Sequence, residues 1–138
     1  RGGAMTDKPG KPLDAEVQEL VAYLDEVLHD YERYVGDIGR LGYAAPQLLY
    51  YRDEVQDLME ALAPEAGVDL KPRWKKIRDL DLTLRGKAVE PVREVGHANF
   101  KQYQIVNNPP QTRWWWYLNS TTADPESAKI PIWQWWRR

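Results

Sequence analysis

"NFKQYQIVNNPPQTRWWWYLN", residues 99–119, decides the fold class of this chain. Its first part, "NFKQYQIV", alternates and is rich in residues that favour strands. "NNPPQT" then breaks any regular element, and "RWWWYLN" follows. The pattern predicts strand, loop and strand, with about six residues in the loop. A polar stretch, "STTADPESAK", leads to "IPIWQWW" at 130–136. Pro131 cannot donate to a ladder, so this third strand is expected at an edge. Residues 98–138 therefore predict a small antiparallel β-sheet.

Toward the N-terminus the pattern changes to helix. Val17, Leu20, Val21, Leu24, Val27, Leu28, Tyr31, Tyr34, Val35 and Ile38 recur every three or four residues. That spacing draws one narrow apolar stripe. Asp14 suits the N-cap, and Gly36 and Gly39 mark the end. Behind Pro46 a second stripe runs through Leu48, Tyr51, Val55, Leu58, Met59 and Leu62, until Pro64 stops it. A short link between two such helices predicts an antiparallel hairpin over 13–63. A third helix is expected over 73–95, with Trp74, Ile77, Leu80, Leu84 and Ala88 on its inner face. Pro91 fits the first turn of a short separate helix near 90–95. The expected fold is thus α+β: a long helical hairpin, a third helix and a C-terminal sheet, in one domain over 13–138. The opening "RGGAM" reads as a cloning scar, so residues 1–12 are expected to be a tag remnant and a flexible N-terminus.

With 138 residues the chain can build a core. It has no Cys, which excludes disulfides and thiolate chemistry and suits a reducing cytoplasm. Apolar runs of about five residues fall far short of the roughly 20 that span a bilayer. The overall charge of −2 conceals a division: residues 1–70 carry a net −9 and residues 71–138 a net +7. Either the halves dock on each other or they serve different partners.

No reaction motif stands out. His29 falls on the polar side of the first helix. His97 follows a glycine with no second ligand nearby, so no metal or cofactor is expected. Asp79 and Asp81 stand two apart, on different faces of a helix, and read as solvated charges. Phosphate-cradling glycine patterns are missing.

The tryptophans are the unusual feature, seven in all. On a strand, Trp114, Trp116 and Leu118 share one face, and Trp115 and Tyr117 the other. In the echo, Trp133 and Trp135 align with Arg137, while Trp136 joins Ile130 and Ile132. The two clusters are expected to adjoin, with one face in the core and the other a binding surface. Trp114 and Trp116 are the expected core residues, and Trp115, with Trp133 or Trp135, is expected to be partly exposed beside Arg137. The candidate partner-binding residues are Arg113, Trp115, Tyr117, Trp133, Trp135, Arg137 and Arg138. Trp, Tyr and Arg dominate protein–protein hot spots. The expected function is therefore a non-catalytic protein-binding or regulatory adaptor in the cytoplasm, with a homodimer favoured slightly over a closed bundle. One alternative is a single-stranded nucleic-acid module using the same patch with Lys101. Another is a small enzyme with its site around His97. The sparse positive charge weighs against nucleic acid and against a membrane surface.

Overall fold

The computed structural model describes residues 14–121, whose regular elements are all helices. Five α-helices follow one another: α1 Ala15–Gly36, α2 Ala45–Leu62, α3 Lys71–Gly86, α4 Val89–Val95 and α5 His97–Asn107. A short 3-10 turn, Gly42–Ala44, precedes α2, and a longer 3-10 segment, Trp114–Thr121, follows α5. No strand occurs among the described residues. The expected α+β class, with its C-terminal sheet, is overturned over 98–121. The third expected strand, residues 130–136, lies outside the described residues.

The hairpin forms as its stripes predict. The Asp14 carboxylate accepts the Glu16 N–H at 3.4 Å and starts α1. Leu24, Val27, Leu28, Tyr31 and Val35 of α1 are buried against Leu48, Leu49, Val55, Leu58 and Leu62 of α2. Much of the α1 stripe is therefore covered within the chain, while Leu20, Val21, Tyr34 and Ile38 stay half-buried. The third helix divides as Pro91 foretold, into α3 and the seven-residue α4. Ile77, Leu84 and Ala88 enter the core, but Trp74 of the expected inner face is 47% exposed.

Residues 97–107 coil because their burial follows a helical period. Phe100 is buried and Tyr103, one turn on, is half-buried. Ile105 and Val106, which suggested a strand, stay exposed at 73% and 70%. "NNPP" is not a hairpin loop but a helix stop. Asn108 takes the left-handed conformation (φ 44°) and donates to Gln104 O at 2.8 Å. Pro109 then forbids another helical turn. "RWWWYLN" winds into a 3-10 helix, opened by Trp116 N–H to Arg113 O at 3.1 Å and kinked at Tyr117. Gln104 of α5 fixes it from the side, donating to Trp116 O at 2.7 Å and Asn119 Oδ1 at 2.6 Å.

Part of the charge division is met by ion pairs between the two halves. Arg73 binds Asp25 at 2.6 Å, Lys76 binds Glu32 at 2.8 Å, and Arg113 binds Asp53 and Asp57. In each pair the acid comes from the first half and the base from the second. The bond to Arg73 holds the Asp25 carboxyl below the usual carboxylate range.

The turn between α1 and α2 is locked by one side chain. Glu94 of α4 accepts backbone N–H bonds from Gly39 (3.0 Å), Leu41 (2.5 Å) and Gly42 (2.9 Å). Such a nest needs backbone with positive φ, supplied by Gly39 (97°) and Gly42 (55°). Glu94→Ala leaves three donors to water or unpaired, and is expected to cost about 1–3 kcal/mol. Glu94→Gln, which keeps one acceptor oxygen, should fall between. Urea unfolding with an unchanged slope measures both.

Candidate functional site

A groove of about 300 Å³ opens between α3 and the C-terminal 3-10 segment. One wall is a single face of α3. Trp74, Arg78, Leu82 and Arg85 recur at four, four and three residues, so they stack in one row above the groove. The facing wall is Thr112, Arg113, Trp114 and Trp115. Arg52, Gln56 and Asp81 form the floor, and Glu60 stands at the rim.

The floor is a closed polar network. Arg52 is 2% exposed, yet it sits in the apolar register of α2. Its guanidinium meets Asp81 through two parallel bonds, Nε to Oδ1 at 2.9 Å and Nη2 to Oδ2 at 3.0 Å. The third donor goes to Gln56 Oε1 at 3.2 Å. Tyr31 donates its hydroxyl to Asp81 Oδ1 at 2.8 Å. Burial, and then the Asp81 charge, push that hydroxyl far above its usual range, so it remains a donor. Asp81, expected to be a solvated charge, is thus a structural acceptor. The signal in the sequence was Arg52 itself, a cation at a position where the α2 stripe calls for an apolar residue.

The indole wall is held from behind by one carboxylate. Asp53 Oδ1 accepts the indole N–H of Trp115 at 2.8 Å and of Trp116 at 2.9 Å. The same oxygen lies 3.0 Å from Arg113 Nη1, and Arg113 also binds Asp57. Desolvation works against the Arg113 charge, but the bonds to Asp57 and Asp53 outweigh it and raise its pKa. Rings and guanidinia then alternate across the groove. Arg85 lies 4.1 Å over the Trp114 ring, Trp114 meets Trp115 edge-on at 5.5 Å, and Arg52 lies 4.2 Å over Trp115.

The expected binding residues fall out differently. Trp115 is 1% exposed, as is Trp116, so the expectation of a free Trp115 face is overturned. The reason is the winding. A strand alternates faces, whereas a 3-10 helix turns every three residues and brings the neighbours 115 and 116 to the core together. Trp114, expected in the core, is instead the half-buried member that lines the groove. Arg113 is committed to two aspartates, and Tyr117 is half-buried, its hydroxyl donated to Pro109 O at 2.5 Å. Lys101 is exposed on α5, away from the groove. Trp133, Trp135, Arg137 and Arg138 lie outside the described residues, and with them the expected meeting of the two Trp clusters. His97 opens α5 and does not line the groove. His29 is exposed on α1, as its polar position implied. Trp74, Arg78, Leu82 and Arg85 are site residues that sequence reasoning missed. Their i, i+4, i+8, i+11 spacing was there to be found, but Trp74 had been assigned to the core.

Comparison with protein-family models, curated proteins and solved structures finds no match. Among the described residues no cluster of His, Cys, Asp and Glu could hold a metal ion. No described helix is long and apolar enough to cross a membrane.

Proposed function

We propose that this chain is a non-catalytic protein-binding module whose recognition surface is the groove between α3 and the 3-10 segment. The observation that carries it is the α3 row. Trp74 and Leu82 are 47% and 62% exposed, and Arg78 and Arg85 stand beside them with no ion pair to a described carboxylate. Exposed Trp and Arg on a rigid wall are the composition of interface hot spots. The anchored indoles supply the rigidity, so little ordering cost opposes binding. The groove's own acid, Asp81, is bonded to Arg52 and Tyr31 and is not placed to move protons. The cysteine-free composition agrees with a cytoplasmic location.

A random-peptide selection on the immobilised chain tests the proposal, with counter-selection on Trp74→Ala/Leu82→Ala. Both side chains are exposed, and circular dichroism checks that the variant folds. Enriched peptides should bind the variant at least about tenfold more weakly, the effect of losing a hot-spot pair. Failure to enrich any sequence, or equal binding to the variant, refutes the groove as a protein site.

A further inference from the structure

We infer that the groove's occupant is an acidic segment of the partner carrying large apolar side chains between its carboxylates. This rests on the protein-binding reading above and adds the chemistry of the partner.

The charge inside the groove decides the sign. Arg52 is satisfied by Asp81, and Arg113 by Asp53 and Asp57. Two cations then remain on the α3 wall, Arg78 and Arg85, against Glu60, whose oxygen accepts from Gln56 at 2.8 Å. They stand seven residues apart, two helical turns or about 10 Å. Arg85 already rests its flat face on Trp114. A stacked guanidinium offers its edge, and the edge carries the paired N–H donors that match a carboxylate. A basic segment would meet two like charges instead.

Between the two cations lies Leu82, and one turn before Arg78 lies Trp74. Both are exposed apolar surface, which an apolar side chain of the occupant would remove from water. The complementary pattern is therefore acid, apolar, acid. A nucleic-acid strand fits less well. Two arginines with no ion pair to a described carboxylate would neutralise only about two phosphates, and counterion release scales with that number.

The test uses the full chain and a fluorescein-labelled, end-blocked peptide. The peptide has two glutamates on each side of a Phe-Leu pair, and binding is followed by anisotropy at low salt. Four companions are run beside it: all Glu changed to Gln, all Glu changed to Lys, Phe-Leu changed to Ala-Ala, and a single-stranded oligo-dT. The proteins are the parent, Trp74→Ala and Arg78→Glu/Arg85→Glu. The Glu peptide should bind best, with the Gln and the Ala-Ala peptides each weaker by about tenfold or more. Arg78→Glu/Arg85→Glu should lose the Glu peptide and gain the Lys peptide. If the Gln or Lys peptide binds the parent as well as the Glu peptide, and Trp74→Ala weakens it, the acidic rule is wrong while the groove still binds protein. If the Glu peptide binds all three proteins equally, its site is elsewhere and both proposals fall. Tighter binding of oligo-dT than of any peptide, with loss in Arg78→Glu/Arg85→Glu, makes the groove a nucleic-acid site. No binding of the Glu peptide up to about 1 mM also overturns the inference, and the selected peptides then decide the groove separately.

Discussion

Trp115→Ala and Trp116→Ala should each cost about 3–5 kcal/mol of stability, the range for deleting a buried aromatic side chain. Both rings are 1% exposed, and each loses more than area. Trp116 packs edge-on against Tyr50 at 5.1 Å and tilted against Tyr103 at 6.2 Å, which ties the 3-10 segment to α2 and α5. Trp115 is the surface on which Arg52 rests. Each substitution also removes one of the indole donors on Asp53. Asp53→Asn provides the comparison. It keeps an acceptor oxygen for the indoles but loses the charge beside Arg113, and should cost less, about 1–2 kcal/mol. Urea titration of all three variants measures this. A small loss for Trp115→Ala beside a large one for Trp116→Ala would restore alternating faces and argue against the 3-10 winding.

Arg52→Ala and Asp81→Ala should each cost about 3–5 kcal/mol, because either leaves the opposite charge buried without its partner. Arg52 is the more exacting case, at 2% exposure, since two bonds to Asp81 and one to Gln56 vanish together. Asp81→Ala additionally strands the Tyr31 hydroxyl. The double replacement Arg52→Ala/Asp81→Ala removes both charges and should cost well below the sum of the singles. The coupling energy from that cycle reads the ion pair directly. Additive losses would mean that the two side chains stabilise the fold independently, against the bidentate geometry.

The helical hairpin was legible because its information is local. The α1 stripe, the Asp14 cap and the prolines at 46 and 64 act within one or two turns of where they stand. The C-terminal part was misread for a physical reason. β-propensity describes a side chain that fits a half-buried pleated surface, and context outweighs it. Ile105 and Val106 raised the strand signal and are solvent-facing. "NNPP" carried the correct signal, since an Asn followed by Pro closes helices as readily as it opens loops. The winding of "RWWWYLN" depends on Asp53, more than 60 residues earlier, and no local pattern reports that bond. The site was half visible. Of the expected binding residues, Arg113 and Trp115 line the groove, and Trp114, expected in the core, lines it too. Its open wall is α3, though, where Trp74 looked like core because it falls in register with Ile77.

The account's central claim is that the tryptophan triplet builds the groove while the α3 wall meets the partner. The indole N–H spectrum of the isotope-labelled chain, assigned by single Trp→Phe variants, tests it most directly. The signals of Trp115 and Trp116, bonded to Asp53, should exchange slowly with solvent, whereas the exposed Trp74 should exchange fast. Addition of the acidic peptide should then shift Trp74 and Trp114. Fast exchange at Trp115 and Trp116, or a peptide that leaves both Trp74 and Trp114 unmoved, would contradict it.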